Sequence, residues 1–137
     1  MSKVKTTNPF EVSFDSDEEI LHVDILHLET EDEVHEMWSE IKEKFEGKEI
    51  RKTLVNLSKS KQKKMSGAAR KAFREYEDYL NTLDRTAFVI SNPVVRMLVK
   101  ATVAGLNRET EGISFFKAEP EALDWLFGKV PIKLDKD

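Results

Sequence analysis

The 137 residues are enough for one domain with its own core, and 39% hydrophobic with 35% charged residues is richer in apolar side chains than a disordered chain. A net charge of -4 lacks the strongly basic balance of a dedicated nucleic-acid binder, so no nucleic-acid partner is expected. The chain has no cysteine, which excludes disulfides, zinc–thiolate sites and cysteine nucleophiles and fits a reducing, cytoplasmic setting.

Met1 to Phe10 holds two lysines with no apolar run behind them, unlike a secretory signal. No segment is apolar for long enough to span a bilayer, so integral membrane association is not expected. Phe10-Glu11-Val12-Ser13-Phe14 alternates apolar and polar side chains, the period of a half-buried strand. A polar turn follows at Asp15-Ser16-Asp17-Glu18-Glu19. Ile20 to Leu26 then reads as a second strand, antiparallel to the first. Leu21, Val23 and Ile25 share one face, and Ile20, His22, Asp24 and Leu26 share a mixed one, as suits a strand near a sheet edge.

Thr30-Glu31-Asp32-Glu33 has capping-box spacing: the threonine hydroxyl can accept from a free backbone N–H while Glu33 reaches back. The helix behind it carries Val34, Met37, Trp38, Ile41 and Phe45 on one stripe and ends at Gly47. Thr53-Leu54-Val55-Asn56-Leu57 and Ala87-Phe88-Val89-Ile90 are nearly unbroken apolar runs, the pattern of strands covered on both faces. Between them lie a polar loop, Ser58 to Met65, and one predicted helix from about Gly67 to Leu83 with Ala69, Phe73, Tyr76 and Leu80 inward. Asn92-Pro93 starts a helix reaching about Leu106, with Asn as cap and Pro in the first turn. Ile113-Ser114-Phe115-Phe116 is a last strand, and Pro120 opens a short helix with Ala122, Leu123, Trp125 and Leu126 inward. The expectation is a single α/β domain over residues 1–137, ordered from about 10 to 127, with residues 128–137 a loose tail. Its order β-β-α-β-α-β-α-β-α gives a mixed, mostly parallel five-stranded sheet with four helices.

The chemistry-bearing residues are few. In Ser58-Lys59-Ser60-Lys61-Gln62-Lys63-Lys64, four lysines precede a helix start at Ser66-Gly67, where free N–H groups and the helix dipole favour an anion. The same loop also reads as a plain solvated surface, the more common meaning of a charge run. Ser58, Lys59, Ser60, Lys61, Lys63, Lys64, Ser66 and Gly67 are therefore the candidate anion- or partner-binding residues. Ser66 itself is a natural N-cap. The helix from Val94 is apolar over most of its circumference, more than one covered face requires. Val95, Leu98, Val99, Thr102 and Leu106 are the candidates there, for a homodimer contact or for an apolar-ligand site; a deeply buried helix is the third reading.

His22, His27 and His35 are scattered without metal-ligand spacing, and in His35-Glu36-Met37-Trp38-Ser39 the place of a second zinc-binding His is Ser39. The acidic run at Asp15 to Glu19 lacks the mid-loop Gly and the length of a calcium loop. The five glycines stand singly, so no phosphate loop and no Gly-x-Ser-x-Gly elbow is present. No metal, cofactor or catalytic residue is expected.

Three stretches together resemble the STAS domains, and more closely the SpoIIAA-like (STAS/SEC14) family of small bacterial proteins. They are Lys52-Thr53-Leu54-Val55-Asn56-Leu57-Ser58, Thr86-Ala87-Phe88-Val89-Ile90-Ser91-Asn92-Pro93-Val94-Val95-Arg96, and Phe115-Phe116-Lys117-Ala118-Glu119-Pro120-Glu121-Ala122-Leu123-Asp124-Trp125-Leu126. In STAS domains that antagonise anti-sigma factors, Asp-Ser-Ser-Gly starts the helix after the central strand, and the first serine is phosphorylated. Here that place reads Lys64-Met65-Ser66-Gly67, with Met65 at the phosphorylated position. The resemblance implies a SpoIIAA-like fold and a non-enzymatic regulatory or protein-binding module, acting on a protein partner through the Ser58–Gly67 loop. Its SEC14 side implies an alternative, a carrier of a small apolar or lipid-like ligand. An enzyme with an unusual site is the remaining alternative.

Overall fold

The computed structural model describes residues 8–104 and 112–128. Its elements are β1 (Phe10–Asp15), β2 (Ile20–Ile25), α1 (Glu31–Phe45), β3 (Lys52–Asn56), α2 (Gly67–Arg74), α3 (Glu77–Leu80), β4 (Arg85–Val89), α4 (Pro93–Ala104), β5 (Ile113–Phe116) and α5 (Glu119–Leu126). The strands stand in the sheet in chain order, β1-β2-β3-β4-β5. Only β1 runs antiparallel to its neighbour; β2 to β5 are parallel. This is the mixed, mostly parallel five-stranded sheet that the sequence implies. The two apolar runs lie side by side at its centre, with Leu54 opposite Ala87 and Val55 opposite Phe88.

The pleat divides the strand residues between two layers. On one face, Val12, Leu21, Val23, Ile25, Val55 and Phe88 meet the inward stripe of α1 together with Ala69 and Ala72 of α2 and Val95 and Val103 of α4. All five residues of the α1 stripe are buried. The capping box is complete, with the Thr30 hydroxyl accepting from the Glu33 N–H and the Glu33 carboxylate from the Thr30 N–H. Gly47, at φ +79°, gives the left-handed residue that ends the helix. On the opposite face, among the described residues, α5 alone covers Ile20, Leu54, Ala87 and Val89, burying Ala122 and Leu126 against them. Leu123 and Trp125, also expected inward, are half-buried.

The helix expected from Gly67 to Leu83 is two helices. The chain leaves α2 at Glu75, and Tyr76 takes a non-helical conformation (φ -97°, ψ 13°) ahead of α3. Tyr76 is held there from outside the helix: its ring stacks on Trp38 at 5.3 Å and its hydroxyl lies 2.6 Å from Nδ1 of His35. The described part of α4 ends at Ala104, so Leu106 and, beyond Gly128, the rest of the expected tail over 128–137 lie outside the described residues.

Candidate partner-binding surface

The Ser58–Gly67 loop has two sides. After a turn at Ser58 and Lys59, it runs beside the β2–α1 link and is pinned to that backbone at Ser60, Gln62 and Ser66. The Ser60 hydroxyl donates to the Leu26 carbonyl at 2.8 Å. The Gln62 side-chain amide donates to the Leu28 carbonyl at 2.8 Å and to the Lys64 carbonyl at 2.9 Å, while its oxygen accepts from the Leu28 N–H at 2.7 Å. The Ser66 N–H donates to the Glu29 carbonyl at 3.1 Å. Ser60 is buried and Gln62 half-buried, whereas Ser58, Lys59, Lys61, Lys63, Lys64, Ser66 and Gly67 are exposed. Of the residues singled out in this loop, Ser60 is thus an anchor, and the four lysines project outward.

Ser66 caps α2, its hydroxyl accepting from the Ala69 N–H at 3.0 Å. Met65 is half-buried, and the Thr102 hydroxyl points at its sulfur at 3.7 Å. The start of α4 adjoins the same loop: the Ser91 hydroxyl donates to the Ser58 carbonyl at 3.4 Å. Asn92 caps α4, accepting from the N–H groups of Val94 and Val95 at 2.8 and 3.3 Å.

On α4, Val95 and Thr102 are buried against the sheet, and Leu98 and Val99 are half-buried. Together with Met65, Phe73 and Phe88 they line an apolar cavity of about 50 Å³ between the helix and the sheet. The four candidates within the described part of α4 therefore sit on its cavity side. The apolar side chains left outside are others: Val94 is 46% and Met97 68% exposed, and Ala101 and Ala104 are exposed with them.

Two of the three histidines are engaged locally at the start of α1. His35 contacts Tyr76 and lies 3.8 Å from Glu31, and Nδ1 of His27 lies 3.3 Å from Glu33. Burial works to raise the Glu33 carboxyl. The backbone N–H groups of Glu29 and Thr30, with His27 and the Thr30 hydroxyl, outweigh it and hold the group below its ordinary value. Burial raises Tyr76 and Tyr79, the latter against the opposing pull of Arg51.

A second, polar groove of about 460 Å³ lies on the far face of the sheet, lined by Glu11, His22, Asp24, Asn56, Lys59 and Glu119 among others. It occupies the part of that face beside α5, and Asn56 donates to Glu119 across it at 3.2 Å. At the opposite end of the hairpin, Asp15, Glu18 and His22 bring ligand-type atoms within 4.8 Å of one another. Asp15 also accepts from the N–H groups of Asp17 and Glu18 at 2.9 and 3.2 Å, closing the β1–β2 turn.

Sequence reasoning missed Gln62, the central anchor of the loop. The signal for it was present: polar Ser60 and Gln62 alternate with lysines at strand period. It also missed the groove, whose residues come from four separate elements.

No protein-family model and no curated protein matches the sequence. Among solved structures, an uncharacterised protein of the DUF3478 family with a SpoIIAA-like fold, from Shewanella loihica PV-4, matches with a TM-score of 0.60 at 15% identity. The match covers 90% of this chain and 99% of that one. At such low identity the likeness is one of fold, and this chain has the SpoIIAA-like fold that the resemblance of its sequence implies.

Proposed function

We propose that the protein is a non-enzymatic binding module that engages a protein partner through the outward side of the Ser58–Gly67 loop and the adjoining start of α4. The carrying observation is the two-sided loop: Ser60 and Gln62 fix its backbone to residues 26–28, and its lysines are left facing solvent. A surface fixed before binding loses little conformational entropy when a partner arrives. A binding role is also favoured over a catalytic one by what the titratable side chains are doing. His27, His35 and Glu33 are spent on the start of α1 and its packing against Tyr76.

The carrier reading rests on the cavity beside α4, and its size weighs against it. About 50 Å³ is a third of the roughly 150 Å³ that accommodates benzene, and ligand pockets run to about 300 Å³ and more. A lipid would require α4 to move off the sheet.

Site-specific photo-cross-linking in the source cell tests the proposal. A cross-linking side chain at Lys61 or Met97 should trap one discrete protein, and one at Ser13, on the far face, should not. Equal trapping at all three positions, or trapping at none, overturns it.

A further inference from the structure

We propose that the segment of the partner received by this surface is an acidic amphipathic helix. This rests on the protein-binding reading above and names the chemistry of the occupant.

Charge is the first argument. Between Lys59 and Arg74 the chain carries Lys59, Lys61, Lys63, Lys64, Arg70, Lys71 and Arg74, and all 26 acidic residues lie outside that segment. The segment is therefore uniformly basic on a molecule of net charge -4, and its outward lysines complement an acidic partner. Spacing is the second argument. Lys61 and Lys63 flank Gln62 on a stretch whose anchors alternate with its lysines, so they stand about 7 Å apart on the same side. Carboxylates one helical turn apart, at i and i+4, are separated by about 6 Å.

The apolar half of the occupant is read from α4. Val94, Met97, Ala101 and Ala104 are all exposed and recur at helical spacing, forming one stripe about 15 Å long. Its flanks are fixed by contacts. Lys100 lies 5.3 Å from the Phe115 ring on the β5 side, and Thr102 contacts Met65 on the loop side. The stripe runs along the outside between these flanks, with Val94 and Ala101 bordering Leu98 toward the loop. A helix laid along it would bury its apolar face on Val94 and Met97 and turn its acidic flank to the lysines.

Fluorescence anisotropy with a labelled 18-residue synthetic peptide tests this. The probe is an amphipathic helix with Glu on one face and Leu and Phe on the other. Its comparators are a scrambled peptide of equal composition and vesicles containing phosphatidylserine. The probe should bind at least tenfold tighter than the scrambled peptide. K61E/K63E should weaken it by about tenfold and flatten its salt dependence, and M97D should weaken it by a similar factor without changing that dependence. Equal binding of the scrambled peptide, binding of vesicles in place of the probe, or no binding at all overturns the inference. If the Lys61 and Met97 cross-links persist while the probe fails to compete with them, the protein-binding reading stands and the acidic helix falls.

Discussion

The two faces of the sheet are built on different terms. One is covered by α1, α2 and α4 and gathers twenty buried residues among those described; the other has α5 alone and six. The first face carries the aromatic cluster in which Trp38 meets Phe73, Tyr76 and Tyr79. The second gives way beside α5 to the polar groove at Glu11, His22 and Asp24. Stability is therefore concentrated on one side, and the surface we assign to partner binding grows from the rim of that same side. The lesson is that the loop proposed to bind is held in place by the layer with the larger core, while the thinner layer closes the sheet.

Truncation on each face is the strongest way to break that comparison. Trp38 is 3% exposed, and Trp38→Ala should cost about 4 kcal/mol in urea unfolding. Leu126→Ala, on the α5 face, should cost about 2–3 kcal/mol, since the smaller layer has more freedom to close around the gap. Equal losses would mean that the two layers contribute alike.

A smaller effect sharpens the role of the loop. Ser66→Ala removes the cap of α2 and should cost about 1 kcal/mol. Cross-linking from Lys61 should survive it, because Gln62 and Ser60 hold the loop independently of Ser66. Loss of the cross-link with stability unchanged would make Ser66 a recognition residue in place of a cap.

The smallest effect is pH-dependent. Folded Glu33 holds its proton less readily than it would in the unfolded chain. Its contribution to stability is therefore present above the ordinary carboxylate pKa and lost as pH falls through the lower folded value. Glu33→Gln keeps a capping side chain without the charge. Thermal unfolding should place the variant below the wild type by less than about 1 kcal/mol at neutral pH, with the gap closing in acid. A gap that widens in acid would reverse the sign of this assignment.

Much of the fold was legible because its strongest signals are local and periodic. The unbroken runs at Leu54 and Phe88, the capping box at Thr30 and the stripe from Val34 to Phe45 all appear where their spacing puts them. The break between α2 and α3 was not legible, because its cause lies 38 residues away: Tyr76 leaves helical geometry to stack on Trp38. The apolar circumference of α4 was legible as an excess, but a pattern of hydrophobic residues does not say which of them stay outside. Val95 turned inward and Met97 outward. In the candidate site, the lysines were visible from charge alone. The alternation of Ser60 and Gln62 with the lysines hinted at an inward side, but it could not name the partner of Gln62, because Leu28 lies 34 residues back and is met through its backbone.

The order of the strands has a consequence for how such a molecule can meet anything at all. Open parallel sheets usually cradle ligands where the winding reverses and two neighbouring crossovers depart to opposite faces, leaving a crevice between them. Here the strands follow one another without reversal, and α1, α2 and α4 gather on a single face. The loops leaving β3 and β4 consequently stand next to each other as a raised rim. Such a rim can be gripped from outside, and the polar groove at Asn56 and Lys59 opens beside it on the far face of the sheet.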